Sequence, residues 1–484
     1  MTVPVTIIKR SGFGTAWRTF LAACLVFVGV SRSDNAAQAQ PRASPLFTTV
    51  PPEQSGASMR HPLLTDHPRA YLYISGFACG GVCIGDVNAD DRPDLFFTSG
   101  PETNRLYLQT ETPFIFRDAT QEAGLSGSAA SDSPSGADPW SAGANLVDLD
   151  RDGDLDIYVC NYDSPNQLFI NDGKAHFSEQ AREWGLDIVD ASLMAAFMDV
   201  DGSGDLALYL LTNRYERPEG RPQRPPVVMV NGKLQIAPEF AKYYGLKRSG
   251  LSNYQVDFVG RSDRLLIPER DAGGRRRYRD VSREAGLVAE AGHGLAATWL
   301  NYDGDARPDL YVCNDFSDSD LLYRNEGKGS DGIVRFKNVI ADVVPLTTWS
   351  SMGADAADIN NDGLVDLMVG EMAARTHREA MINTGSLGDR LDTLLHSWPR
   401  QTMRNMLFLN TGTGRFLETA FLSGVAQTNW TWAVKLADFD NDGLVDLFIT
   451  NGNSRNYTDA DVPFNTEMYI GHTDWDLFRE QPPR

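Results

Sequence analysis

Clusters of carboxylates at fixed spacing dominate the chemistry this chain can do. Asp148, Asp150, Asp152 and Asp156 sit in DLDRDGDLDIYV, and Asp438, Asp440, Asp442 and Asp446 sit in DFDNDGLVDLFI. The same positions 1, 3, 5 and 9 are filled by Asp86, Asn88, Asp90 and Asp94, by Asn301, Asp303, Asp305 and Asp309, and by Asp358, Asn360, Asp362 and Asp366. A worn copy runs through Asp199, Asp201, Ser203 and Asp205, with Ala207 at position 9. Carboxylates packed this closely repel one another unless a cation lies among them. An oxygen-only donor set suits a hard ion, and Ca²⁺ is the natural choice. Five cation sites are expected, with the Asp199 loop incomplete.

These loops are not EF-hands, which need a bidentate Glu at position 12 and a helix on each side. Position 12 is Val159, Val369 and Ile449 in three of them. Each lies in a β-branched, aromatic-rich run such as Ile157-Tyr158-Val159, which reads as a strand. Every loop therefore joins two strands. An acidic Asx-turn without metal is the alternative for any one loop; repetition argues against it for the set.

The elements that position the loops repeat with them. Loops begin at 86, 148, 199, 301, 358 and 438. The gap from 199 to 301 is double its neighbour, and Val256-Asp257-Phe258 followed by Arg264-Leu265-Leu266-Ile267 reads as a decayed copy, giving seven units. After each loop comes a segment such as Asn166–Asn171 (NQLFIN), a Gly turn, and a stretch ending in Gly-Leu. Four short strands per unit predict an all-β, seven-bladed β-propeller of antiparallel blades over 40–484. The stretch Ser44–Ser55 is expected to complete the last blade and so remove an exposed edge.

This pattern resembles FG-GAP/VCBS repeats, the blades of integrin α-subunit propellers. The pairing of acidic loops with N-x-L-[YF]-x-N and A-G-L is similar to the ASPIC/UnbV family, which includes the cartilage acidic proteins. The resemblance implies calcium loops between the first and second strands of each blade, calcium binding, and extracellular interaction or adhesion. It implies no particular reaction.

Composition narrows the partners. The chain carries 65 acidic against 44 basic residues, a net charge of −21. That disfavours nucleic acid and anionic membrane surfaces. Lys9, Arg10 and Arg18 precede the apolar stretch Phe20–Val30, and Ala37-Gln38-Ala39 offers a cleavage site, so 1–39 reads as a secretory signal and the mature chain as secreted or cell-envelope. The apolar run is too short to span a membrane; Leu21-Ala22-Ala23-Cys24 leaves lipidation as the second choice. Cys79, Cys83, Cys160 and Cys313 are expected to be mostly free, buried thiols.

Function is sought on the face opposite the loops. Long segments at 371–404 (a helical insertion), 216–226 and 451–463 are expected there. Trp140, His293 and Trp430 stand eight residues before their loops and Trp349 nine, so they are placed at the channel mouth, with packing between blades as the blander reading. Asp163, Asp315 and Glu371 follow second strands and join them as ligand-face candidates. No H-E-x-x-H, G-x-S-x-G or phosphate-cradling loop is present. The expected protein is a monomeric binding module for an extracellular protein or glycan. The alternative is a calcium-dependent enzyme, acting on polysaccharide or in natural-product biosynthesis, with Asp163, His293, Asp315, Glu371 and His377 as its candidate groups.

Overall fold

The computed structural model describes residues 5–8, 47–59, 64, 66–75, 77, 80–126, 139–249, 253–287, 291–315, 318–376, 378–379, 397–452 and 476. The fold is all-β and β-propeller-like, with three four-stranded antiparallel sheets, an eight-stranded antiparallel sheet that joins two further four-strand units, and a three-stranded sheet. Blade 1 runs Val82–Gly85, Asp94–Phe97, Arg105–Gln109 and Phe116–Asp118. Blade 2 runs Trp140–Val147, Asp156–Pro165, Gln167–Asn171 and Phe177–Glu179. Blade 4 (Gly294–Leu300, Asp309–Asn314, Leu321–Lys328, Val334–Asn338) and blade 5 (Ser351–Ala357, Asp366–Glu371, Met406–Asn410, Phe416–Glu418) repeat the order.

Blade 3 corrects the repeat count. Its strands are Val189–Met198, Ala207–Thr212, Arg264–Arg270 and Arg276–Asp280. Leu208 pairs with Leu266 and Leu210 with Arg264, so the run read as a seventh unit is the third strand of the Asp199 blade. Residues 213–263 are an insertion between its second and third strands. They carry two hairpins, Val227–Val230 with Lys233–Ile236, and Tyr244–Ser249 with Asn253–Phe258. Blade 6 pairs Thr431–Ala437 with Asp446–Asn451, whose other edge takes Val5–Ile8. Among the described residues there are six blades.

Second strands form the core because both their faces are covered. Ala207–Thr212 and Asp366–Glu371 are buried at every position. Inner strands bond from blade to blade. Trp299 Nε1 donates to the Ala196 carbonyl at 3.2 Å, Thr298 Oγ1 to Ala354 at 2.9 Å, and Leu436 N to Asp355 Oδ2 at 2.9 Å.

The stretch expected to complete the last blade as a strand does something else. Pro52–Ser55 is a helical turn. Phe47 meets Phe439 and Phe448 of blade 6 edge-on at 6.0 and 6.4 Å. At Gly56 (φ 73°) a Cβ would lie 2.2 Å from the Phe116 carbonyl of blade 1, so only glycine lets the chain pass. Residues 47–56 thus touch both the last and the first blade. The signal reading of 1–39 lies outside the described residues except at Val5–Ile8.

Candidate metal centre and the opposite face

Each acidic loop joins the first and second strands of its blade. Positive φ at its fourth and sixth positions curls it, as at Arg151 (68°) with Gly153 (98°) and Asn441 (55°) with Gly443 (84°). The curl aims backbone N–H groups at the first carboxylate. Asp152 N reaches Asp148 Oδ1 at 3.2 Å and Gly153 N reaches Oδ2 at 3.1 Å; Asp442 and Gly443 do the same to Asp438 at 3.1 and 2.8 Å. In this form oxygens of Asp148, Asp150 and Asp156 lie within 4.8 Å of one another, and so do those of Asp438, Asp440 and Asp446.

The position-9 aspartate holds the loop to its sheet. Asp156 Oδ2 accepts from Leu149 N at 3.0 Å, and its Oδ1 accepts from Asn171 N of the third strand at 2.9 Å. Asp309 accepts from Tyr302 N (3.2 Å) and Asn325 N (2.8 Å), and Asp366 from Ile359 N (3.0 Å) and Asn410 N (2.7 Å). Asp94 takes Val87 N and Gln109 N in the same way. Burial first, and neighbouring carboxylates second, push Asp156 and Asp309 up to about 7. Opposing them, the two backbone N–H bonds favour the anion.

These residues fit a hard cation. The donors are oxygens, the charge is concentrated, and Asn88 Oδ1 is buried without a hydrogen-bond partner inside its loop. The loops differ in ways their spacing did not reveal. In blades 1 and 4 an arginine at position 7 turns back on the position-5 acid, as Arg92 on Asp90 and Arg307 on Asp305. In blade 5, Asn360 Nδ2 donates to Asp362 Oδ2 at 2.9 Å.

The Asp199 loop is neutralised by the protein itself. Lys328 Nζ lies 2.9 Å from Asp201 Oδ2. Arg276 Nη2 and Arg151 Nη1 lie 2.7 and 3.4 Å from Asp205 Oδ1. Ser203 and Lys328 outweigh the burial that would raise Asp201 and hold it below the usual carboxylate range. Lys328 stands on the third strand of blade 4, far from this loop in sequence.

In an antiparallel blade the connections from strand one to two and from two to three lie at opposite ends. The acidic loops are of the first kind. The described residues of the insertion 213–263 and of the segment 372–405 are of the second, so they lie toward the opposite face. The insertion is basic, with nine Lys/Arg against five Asp/Glu. It is clamped across several blades: Lys242 to Asp163 of blade 2 (3.2 Å), Arg261 to Asp190 of blade 3 (2.7 Å) and Lys247 to Asp318 of blade 4. Its first hairpin leaves aliphatic side chains outside; Met229 is 65% exposed, and Val228 and Val230 are also exposed.

The ligand-face candidates are mostly structural. Trp140 is fully buried, donates through Nε1 to the Phe77 carbonyl at 3.1 Å, and packs on Tyr73. Trp349 is buried, and Trp430 is half-buried at the start of blade 6. His293 is buried with Nδ1 on Asp318 Oδ2. Burial pushes Glu371 up to about 8, while N–H groups of Trp349 (2.8 Å), Ser350 (2.9 Å) and Met372 (3.0 Å) bind its carboxyl. Asp163 is held by Lys242, and Asp315 N donates to the His293 carbonyl at 3.0 Å. Asp315 adds to the upward push on Glu371 and binds the His293 carbonyl, so these three are neighbours; His377 lies outside the described residues. Cys83, Cys160 and Cys313 are free and buried, and burial pushes the Cys83 thiol up to about 12. Cys79 is outside the described residues.

No protein of curated function matches the chain. Among solved structures it is similar to an Agrocybe aegerita lectin recognising non-reducing terminal N-acetylglucosamine (13% identity, 70% of this chain and 78% of that one, TM-score 0.28). It is also similar to the V. cholerae biofilm matrix protein Bap1 (13%, 62% and 36%, 0.26) and the rhamnogalacturonan lyase YesW (14%, 78% and 68%, 0.31). Likenesses this distant carry no argument about ligands. The sequence family gives more. The FG-GAP-like repeat model matches residues 86–159, 148–210, 301–369 and 390–449, together more than half of the chain, and each match spans an acidic loop with its second strand. By its loops, its blades and this match, the chain belongs to the FG-GAP-like repeat family.

Proposed function

We propose that this is an exported, calcium-stabilised β-propeller that binds an extracellular protein or glycan through the face opposite its acidic loops. The observation that carries the reading is the segregation of the two ends. One end of the blades gathers carboxylates. The other gathers both long insertions, a basic cap and an exposed aliphatic hairpin, on a scaffold that is otherwise acidic. Apolar side chains left outside on a rigid support mark an interaction site.

Calcium is structural here. Asp148, Asp150, Asp152 and Asp156, with their counterparts in blades 1, 4, 5 and 6, would hold it. Bound, it supplies positive charge that offsets the carboxylate repulsion, so that binding free energy becomes folding free energy. The blades close into a ring, with residues 47–56 joining last to first, and the protein acts as a monomer. The ASPIC/UnbV resemblance fits this adhesive role.

A glycan array and a pull-down from extracellular extract, each run with calcium and with EDTA, test the reading. Replacing Val228, Met229 and Val230 by Ser is expected to abolish capture while the calcium-loaded melting curve stays put. Capture that survives this replacement would move the binding site elsewhere. The enzymatic alternative needs several titratable groups at one accessible point. Glu371 is instead enclosed by backbone N–H groups, and His293 is buried against Asp318.

A further inference from the structure

A repeated side-chain bond joins three of the loops to the next blade. Asn171, Asn325 and Asn410 lie on the third strands of blades 2, 4 and 5, Asn171 and Asn410 at their ends. Each uses its own N–H to bind the position-9 aspartate of its blade. Each also sends its side-chain amide to the loop of the preceding blade, at the carbonyl of position 2. Asn171 Nδ2 donates to Val87 at 2.8 Å, Asn325 Nδ2 to Val200 at 2.8 Å, and Asn410 Nδ2 to Tyr302 at 2.7 Å. Position 2 in turn donates its N–H to the position-9 aspartate of its own loop.

Among the described residues the bonds form two runs. From blade 3 to blade 5 one reads Val200 carbonyl, Asn325, Asp309, Tyr302, Asn410, Asp366, Ile359. From blade 1 to blade 2 the other reads Asp94, Val87, Asn171, Asp156, Leu149. At blade 3, which has no position-9 aspartate, Arg276 takes over and reaches the Leu149 carbonyl. All three asparagines are buried, so a broken link leaves an amide or carbonyl without a partner.

We infer that these asparagines couple cation binding between neighbouring loops, so that occupancy of one loop raises the affinity of the next. This rests on the proposed cation reading. Ordering loop 301–309 fixes the Tyr302 carbonyl where Asn410 can reach it. Asn410 is then already set for Asp366, and loop 358–366 binds with less ordering left to do. The asparagines are positioning residues; their amides act through the aspartates. Coupling of this kind typically changes affinity by about 5-fold or more.

The test follows protection of loop 301–309 by hydrogen–deuterium exchange as Ca²⁺ is titrated into the full chain. Asp362→Ala disables loop 358–366. It is expected to raise the midpoint for loop 301–309 by about 5-fold or more and to leave loop 86–94 unchanged. Asn410→Ala raises the same midpoint, and adding Asp362→Ala then raises it no further. Asn171→Ala moves the effect to loops 86–94 and 148–156, which guards against a folding defect peculiar to Asn410. An unchanged midpoint in Asp362→Ala, or an equal shift with and without Asn410, overturns the coupling while leaving calcium binding intact. If no loop gains protection with Ca²⁺, the cation reading fails as well.

Discussion

Asp150 and Asp201 hold the same third position in adjacent loops and meet opposite fates. Burial and the neighbouring Asp152 push Asp150 above the usual carboxylate range. Asp201 is held below it by Ser203 and Lys328, although burial alone would raise it. One loop keeps its full set of acids and gathers three of them within 4.8 Å. The other has lost its ninth-position acid, and Lys328, Arg276 and Arg151 neutralise what remains. The same curled turn is thus built either with its acids gathered, as the proposed cation reading requires, or with them offset by cations of the chain. The second solution needs no metal but ties blade 3 to residues on blades 2 and 4.

The contrast can be broken at several points. The largest effect is expected from chelation. A site at tenfold excess of calcium over its Kd stabilises by ~1.4 kcal/mol. Several such sites together should lower Tm by about 10 °C or more in EDTA, read by calorimetry. An unchanged thermogram would make every loop resemble the Asp199 loop. Next comes Asp156→Ala, which strips the acceptor from the buried Leu149 and Asn171 N–H groups and should cost about 3 kcal/mol in denaturant titration. Asp442→Ala should likewise cost more than Ser203→Ala, because only the first loop is complete; equal losses would dissolve the ranking.

Lys328→Met sharpens the other side. It should cost about 1 kcal/mol, to the same extent with calcium and with EDTA, since no metal is involved. If chelator alters that cost, the lysine is not the loop's counter-charge. Combined with Ala207→Asp, it should create an additional calcium site countable by isothermal titration.

The smallest expected effect is on pH dependence. Asp156 and Asp309, raised to about 7 without metal, keep protons in the fold that the unfolded chain releases near pH 4. In EDTA, stability should therefore fall as pH rises from 4 to 7. With calcium the same acids must be ionised, and the slope over that window should reverse. Parallel slopes would show that these carboxyls do not face an ion.

Much of this was legible because it is local. The spacing of the carboxylates, the strand-like flanks and the placement of loops between first and second strands all lie within about a dozen residues. The errors came from counting. Arg264-Leu265-Leu266-Ile267 does form a strand, but periodicity cannot tell a decayed blade from the far side of an insertion. Partners distant in sequence were invisible for the same reason. Lys328 meets Asp201, and Asn410 meets Tyr302, only after blades stack. The N-x-L-[YF]-x-N signature contained the asparagine, yet nothing in one repeat says that its amide serves the neighbour. The tryptophans at the inner-strand starts read equally as ligand ring or packing; Trp140 is packing.

Phe47 rests on blade 6, while Gly56 lies against blade 1. Residues 47–56 are made before blade 6, so the contact of Phe47 with Phe439 and Phe448 forms only once that blade has been synthesised. Early blades must wait with a naked flank, and a truncated polypeptide is expected to be sticky and short-lived even though each sheet it contains is intact.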